Sequence, residues 1–353
     1  LDDSSFVLRL DPKGMYRLTC EFPDQCRKAL DISRSASLTD MALQAKAVAL
    51  AGMGGSAAGG DVARALYEAH AGVAFVVSRD YQVPNYLGVG DVVICSSYSG
   101  NTEETLSAYS SAKRLGAKVI ALTSGGKLAE LARDAGDPLV EIPGGQPPRT
   151  ALGFMAVPIV VLSERLSLFP PQDYESAFAL LAECVAECRV ETPFESNPAK
   201  QLAAAIHGKM PVLYGLGSWQ GYVANRWKGQ INENAKNLAL ASSFPELNHN
   251  EILGWVKAAE QGVASWVGII LEDGSETPKM RARAEVTSEL LAGVCEFHRA
   301  RARGETLLAK MLTLTLLGDF VSLYLAALNG VDPENIDWIN HLKAKLANVE
   351  VSD

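Results

Sequence analysis

Short apolar runs alternate with amphipathic segments through the first half of the chain, and this alternation is the strongest constraint on the fold. Five runs predict buried strands, at residues 47–54, 73–79, 91–99, 118–125 and 138–144. The segments between them place apolar residues at i, i+3 and i+4, which is helical spacing. Strands alternating with helices form a parallel sheet that is covered on both faces. We therefore expect an α/β fold whose ligand site lies at the carboxyl ends of the strands.

The second half of the chain repeats the beginning of the first. The segment LAGMGGSA at 50–57 resembles LYGLGSWQ at 213–220, and in both an apolar run leads through a glycine turn into a helical pattern. Further strands are predicted at 265–273 and 293–299. We expect two tandem doubly wound domains with parallel sheets, at residues 1–150 and 209–353, joined by a helical connector at 151–208.

Charge and cysteine content narrow the class of protein. The 353 residues carry a formal net charge of −9 with no basic block, which argues against a nucleic-acid or anionic-membrane partner. The six cysteines form no C-x-x-C pair, and Cys184 and Cys188, one helical turn apart, have no nearby histidine to complete a zinc set. The apolar stretch at 311–330 contains Asp319 and predicts a buried helix. The polar, acidic start of the chain does not resemble a signal peptide, so we expect a cytoplasmic protein.

The glycine turn AGMGGSAAGGD at 51–61 admits two interpretations. Its G-x-G-x-x-A spacing suits a dinucleotide, whereas Ser56 at the strand-to-helix turn suits a phosphate. The next strand ends in SSYSGNTEET, which crowds hydroxyl groups before another helix. Capping by Asn101 or Thr102 needs one such residue, and this loop has several. Two adjacent strand ends rich in serine favour a phosphate on a small ligand.

These two loops resemble the sugar isomerase (SIS) domain, an α/β unit that binds phosphosugars. The segments PPRTALG, WKGQINENAKNLA, FPELNHNEILGW and GVDPENIDWINHLKAKL follow in the order found in bifunctional phosphoglucose/phosphomannose isomerases. The resemblance extends from about residue 15 to 350 and implies two flavodoxin-like, three-layer sandwiches. It also implies interconversion of glucose 6-phosphate, and mannose 6-phosphate, with fructose 6-phosphate.

The resemblance assigns roles to residues that would otherwise be ordinary. Glu233, which alone would be interpreted as a helix-surface residue, becomes the base that moves a proton between two carbons, and Arg149 stabilises the enediolate. His249 and Lys343 assist ring opening, with Lys345 as the alternative lysine. His249 is expected to reach the site of a neighbouring subunit, so the family implies a homodimer. Phosphate binding is expected from Gly54, Gly55, Ser56, Ser97, Ser99 and Thr102. No cofactor and no metal are expected.

One segment departs from the family pattern. Relatives often carry a threonine and prolines after GVDP, where this chain has Glu334, Asn335 and Ile336. That region lies near the sugar in the resemblance, so the ratio of mannose to glucose substrate use stays open.

Two rival functions compete with isomerisation. A nicotinamide oxidoreductase needs an acidic residue at the second strand end, for which Asp80 is the candidate, but it has no use for the second hydroxyl loop. A non-catalytic sugar-phosphate sensor keeps the serine loops and adds a DNA-binding segment. This chain has no basic helix-turn-helix extension, and both rivals are disfavoured.

Overall fold

The first half of the chain forms a five-stranded parallel sheet. The computed structural model describes residues 1–38, 45–263 and 265–346. The strands are β1 (Ala47–Ala51), β2 (Ala74–Ser78), β3 (Val92–Ser97), β4 (Lys118–Thr123) and β5 (Leu139–Glu141), in the order β2-β1-β3-β4-β5. All five predicted strands are thus confirmed, each shorter than the apolar run that predicted it.

Helices precede, interrupt and follow this sheet. Three lie before it, α1 (Ser4–Arg9), α2 (Met15–Cys20) and α3 (Phe22–Ser35). Three connect its strands, α4 (Gly54–His70), α5 (Glu103–Arg114) and α6 (Gly126–Ala135). The next segment is helical, with α7 (Leu152–Arg165), α8 (Tyr174–Cys188) and α9 (Pro198–Ile206), and short 3-10 turns at Pro148–Thr150 and Phe194–Ser196.

Alternate residues of β1 explain why the first sheet needs helices on both faces. Val48 and Leu50 pack into one apolar cluster with residues of α4 and α7, whereas Ala47, Ala49 and Ala51 pack into another with residues of α5 and α6. All five side chains are buried because a strand places successive side chains on opposite faces. The result is the predicted three-layer sandwich.

The second half forms a four-stranded parallel sheet with the same arrangement. Its strands are β6 (Met210–Gly215), β7 (Leu240–Ser243), β8 (Trp266–Glu272) and β9 (Cys295–Arg301), in the order β7-β6-β8-β9. Its helices are α10 (Ser218–Ala235), α11 (Glu251–Gly254), α12 (Pro278–Leu291), α13 (Leu307–Leu328) and α14 (Asp337–Leu346), with 3-10 turns at Glu246–His249 and Trp255–Glu260. This order matches that of β2-β1-β3-β4, so the repeat seen in the sequence is a repeat of fold.

Helix α13 is the central packing element between the second sheet and the connecting helices. It packs against α8, α9 and α10, and most of its residues are buried. Gly318 permits the closest approach, because a Cβ atom there would lie 2.2 Å from Nε1 of the fully buried Trp227 on α10. The indole N–H instead donates to the carbonyl of Leu314 at 2.8 Å. This contact determines where α10, the helix of Glu233, lies in the fold.

The apolar character of α13 also resembles that of a membrane span. Among residues 1–38, 45–263 and 265–346, Leu307–Leu328 is the one helix with the length and composition to cross a membrane, yet 89% of its apolar window is buried inside the protein. The prediction of a buried helix at 311–330 is therefore confirmed.

Candidate active site

The turn between β1 and α4 lies against the end of the neighbouring strand β3. Ser56 is buried in the first turn of α4, and its Oγ accepts a hydrogen bond from the Tyr98 backbone N–H at 3.3 Å. A Cβ atom at Gly52 would come within 2.7 Å of the Ser96 carbonyl oxygen, so a side chain there is excluded. The two predicted loops thus meet, and the Ser56 proton has no acceptor within the part of the chain that the structure describes.

The loop after β3 presents hydroxyl groups that do not cap the helix behind it. Thr102 is the N-cap residue of α5, but its side chain makes no cap hydrogen bond. Its Oγ1 instead lies 2.8 Å from Ser97 Oγ, which also accepts from the Gly100 N–H. Ser99 is exposed, and its Oγ accepts from the Asn101 N–H at 3.2 Å. The Ser99 proton, and one proton of the Ser97–Thr102 pair, have no acceptor among the described residues.

A cavity of about 500 Å³ lies between the start of α4 and α10. Gly54 and Gly55 line it from the start of α4, and Arg226, Gln230 and Glu233 line it from α10. The glycine turn after β1 and the carboxylate of Glu233, which lies in the family motif NENAK, therefore line the same cavity.

Gly55 also determines how closely Arg149 approaches this turn. A Cβ atom at Gly55 would lie 2.8 Å from the Pro148 carbonyl oxygen and 3.6 Å from Arg149 Cα. A side chain at residue 55 would push the 3-10 turn Pro148–Thr150 away. Glycine here serves close backbone contact.

Arg149 is a buried cation beside Glu233. Its side chain is 5% exposed, and one guanidinium nitrogen, Nη1, lies 3.6 Å from Oε2 of Glu233, whose side chain is 37% exposed. Burial lowers the pKa of Arg149, and the negative charge of Glu233 opposes that effect. A buried guanidinium next to a half-exposed carboxylate is suited to stabilising an anion that forms between them.

A second cavity, of about 710 Å³, also contains Glu233 in its wall. Lys236, Asn335, Ile336 and Trp338 line it as well. The segment that departs from the family pattern therefore lies at a cavity shared with Glu233.

Sequence reasoning did not select Lys236, which lines this second cavity together with Glu233. Lys236, within the quoted segment NENAK, has a left-handed backbone at φ 52° and donates through Nζ to the carbonyls of Glu233 and Asp332. Burial first, and then the charge of Arg149, lower the pKa of Lys236. The sequence signal that could have identified Lys236 is its position in the motif NENAK, three residues after Glu233.

His249 and Lys343 lie away from the wall that holds Arg149 and Glu233. His249 is exposed in the 3-10 turn after β7, and neither it nor Lys343 lines the two cavities just described. Helix α14 is exposed along its whole length, and Lys343 and Lys345 are both exposed on it. Within one chain, the structure brings Arg149 and Glu233 together beside the turn after β1, which contacts the loop after β3 through Ser56, and leaves His249 and Lys343 outside.

The chain matches two family models. Residues 42–146 match the SIS domain, and residues 195–346 match the bacterial phospho-glucose isomerase C-terminal SIS domain. A bifunctional phosphoglucose/phosphomannose isomerase from Caldicellulosiruptor bescii is 39% identical over 339 residues, 95% of this chain and 100% of the relative. Another from Thermoplasma acidophilum is 35% identical over 300 residues, 85% of this chain and 89% of the relative.

Solved structures agree with the fold. A glucose-6-phosphate isomerase like protein from Thermus thermophilus superposes with a TM-score of 0.62 at 19% identity, covering 97% of this chain and 98% of that one. At this identity the likeness concerns the fold alone. The near full-length sequence matches and the two family models lead to one conclusion: the chain belongs to the bifunctional phosphoglucose/phosphomannose isomerase family.

Proposed function

We propose that the chain interconverts glucose 6-phosphate, and mannose 6-phosphate, with fructose 6-phosphate through a cis-enediolate. The observation that carries this proposal is the 3.6 Å pair of Arg149 and Glu233 at a cavity that also reaches Gly54 and Gly55. Both aldoses give the same planar enediolate at C1 and C2, so one proton-transferring carboxylate serves either epimer.

The substrate phosphate is bound by the two loops at the ends of β1 and β3. Ser56, Ser97, Ser99 and Thr102 supply hydroxyl protons, and Gly54 and Gly55 allow close backbone approach. The N-termini of α4 and α5 add their backbone N–H groups and favour a negative charge. Support for this assignment comes from the free hydroxyl protons described above and from Thr102, whose side chain does not cap α5.

Glu233 carries the proton between C2 and C1, and Arg149 stabilises the charge on the enediolate oxygens. Removing a proton from C2 places negative charge on the oxygen at C1. A proton then passes from the C2 hydroxyl to the C1 oxygen, which moves the charge to the C2 oxygen, and returning the first proton to C1 forms the C2 carbonyl of the ketose. A buried guanidinium is already oriented before the charge appears, so little reorganisation is needed. His249 and Lys343 assist opening of the sugar ring by proton transfer at the ring oxygen.

The active unit is a homodimer in which His249 comes from the partner chain. Support comes from large apolar side chains that one chain leaves exposed around the His249 segment, β7 and α14. They are Leu238, Leu240, Leu253, Val256, Trp338, Ile339, Leu342 and Leu346, with Trp338 92% exposed. Leu238, Trp338 and Ile339 line one cavity together, and contiguous exposed apolar surface is typical of an interface.

The proposal includes a cytoplasmic location and the predicted domain boundaries. All six cysteines are unpaired in the structure, which fits a reducing compartment. The first domain, residues 1–150, supplies the phosphate loops and Arg149. Residues 151–208 connect the two domains. The second domain, residues 209–353, supplies Glu233, His249 and Lys343.

A direct assay in deuterated buffer with a chelator tests the reaction. Each aldose phosphate is incubated with the enzyme without nicotinamide, and formation of fructose 6-phosphate and loss of the C2 proton signal are followed by NMR. With the wild type we expect fructose 6-phosphate to form and the C2 proton signal to disappear. The Glu233→Gln variant is expected to lower turnover by at least about a hundredfold.

Two results would contradict the proposal. Binding of either sugar phosphate without turnover favours the sensor, and turnover that depends on added nicotinamide favours the oxidoreductase. Full activity in Glu233→Gln would remove the proposed base.

A further inference from the structure

Arg149 has a different partner for each of its three guanidinium nitrogens. Nε donates to Oδ1 of Asn234 at 2.7 Å, and Nη2 donates to the Pro333 carbonyl at 2.5 Å. Nη1 remains, 3.6 Å from Oε2 of Glu233. Because the guanidinium is planar, two fixed nitrogens determine the position of the third.

Asn234 is held so that only its oxygen faces Arg149. Its Nδ2 donates to Ser322 Oγ at 2.9 Å, and that hydroxyl donates its own proton to the Asp319 carbonyl at 2.7 Å. Ser322 therefore has no proton left and must accept from Asn234, which excludes the reversed amide. The amide is 1% exposed, so water does not compete for these hydrogen bonds.

Two adjacent residues of α10, Glu233 and Asn234, have different roles at this site. Consecutive residues of a helix lie about 100° apart, so Asn234 faces α13 while Glu233 faces the cavities. The same turn of backbone thus carries the carboxylate and the group that orients its cationic neighbour. A shift of α10 therefore moves Glu233 and Asn234 together, and the distance between these two residues is maintained.

We infer that Asn234 is a positioning residue that directs Nη1 of Arg149 toward the reacting oxygens. The inference rests on the proposed function, since Arg149 acts there on the enediolate. Asn234 itself touches no reacting atom. Its removal should affect the charged intermediate and leave intact the binding of a sugar phosphate that forms no enediolate, because the phosphate loops lie elsewhere.

Two inhibitors separate these effects. An aldonohydroxamate phosphate mimics the enediolate, whereas a hexitol 6-phosphate has the phosphate and hydroxyl groups but forms no enediolate. Asn234→Ala is expected to lower kcat on the order of tenfold to a hundredfold and to weaken hydroxamate binding by the same factor. Hexitol phosphate binding should not change. Asn234→Asp keeps the acceptor for Arg149 Nε and should recover most of the lost kcat.

Two further variants keep the test decisive. Asn197→Ala removes another fully buried asparagine, which caps α9, and should lower stability without changing the ratio of the two inhibitor affinities. Ser322→Ala removes the acceptor that orients Asn234 and should produce a smaller loss of the same kind, including where Asn234→Ala does not fold.

Different results would contradict the proposed isomerase function and the proposed role of Asn234. A wild type without isomerase activity contradicts the proposed function. An active wild type whose Asn234→Ala variant keeps its kcat, or loses affinity for both inhibitors equally, overturns the role of Asn234.

Discussion

Arg226 and Asp319 form an ion pair at 3.3 Å between α10 and α13, with both side chains more than nine-tenths buried. Arg226 also donates to the Arg149 carbonyl at 2.6 Å, and Gln230 donates to Asp319 at 2.8 Å. The pair therefore links the core helix, the helix of Glu233 and the turn of Arg149.

Removing both partners of this pair should be less harmful than the two single removals added together. Asp319→Ala leaves an unpaired buried guanidinium, and we expect a loss of about 3–5 kcal/mol in the free energy of unfolding. The double variant Arg226→Met/Asp319→Leu should lose clearly less than the sum of the single changes. Urea unfolding of the wild type, Arg226→Met, Asp319→Leu and the double variant measures this coupling, and additive losses would contradict it.

The same carboxyl should make stability depend on pH. Burial raises the pKa of Asp319, and Arg226 opposes the rise. The folded protein then holds this proton more tightly than the unfolded chain does. Its stabilising contribution is full below the unfolded pKa and is lost as pH rises through the folded pKa. The free energy of unfolding of the wild type minus that of Asp319→Asn should fall as pH rises from about 4 toward neutrality, because the amide does not titrate. A difference that grows with pH would argue against a raised pKa.

Because Trp227 packs on Gly318, replacing Gly318 by alanine should change stability in the opposite direction from replacing Gly229. Gly318→Ala places a methyl group 2.2 Å from the indole nitrogen and should destabilise the fold by about 1–3 kcal/mol. Gly229, inside α10, has open space where a Cβ would lie, so Gly229→Ala should gain about 0.5–1 kcal/mol. Thermal unfolding of both variants tests the contact, and equal effects would speak against it.

The hydroxyl pair at the end of β3 should matter for binding more than for turnover. Ser97→Ala removes one partner of the Thr102 hydroxyl and one proposed donor to the phosphate, and we expect KM to rise about tenfold with a smaller change in kcat. Ser110→Ala, on the exposed face of α5, is the matched control and should leave both constants unchanged. If the two variants behave alike, the phosphate does not bind at this loop.

Mixed dimers test whether His249 acts across an interface. Glu233→Gln and His249→Ala should each be inactive alone. When the two are unfolded and refolded together, the site that combines Glu233 of one chain with His249 of the other is intact, so activity should return. Continued inactivity of the mixture, with mixed dimers verified by mass, would show that His249 acts within its own chain.

The loops at the ends of β1 and β3 show what local sequence can predict. Hydroxyl residues followed apolar runs at two successive strands, and neighbouring parallel strands bring such loops to one edge of the sheet. Their contact, through Ser56 and the Tyr98 N–H, required no information beyond strand order. The assignment of Glu233 came from a family motif, since a glutamate on a polar helix face carries no local sign of catalysis.

By itself, the sequence determined all five strands of the first sheet with the helices between them, every strand of the second sheet except β7, the repeated doubly wound unit and the glycine turns after β1 and β6, because periodicity and glycine turns act over a few residues. Only the tertiary structure decided which side chains surround Arg149. Asn234, Pro333 and Glu233 come from distant parts of the chain, and they meet because Trp227 packs on Gly318 and sets α10 against α13. Such contacts depend on how helices pack through a shared core, and no short stretch of sequence specifies that.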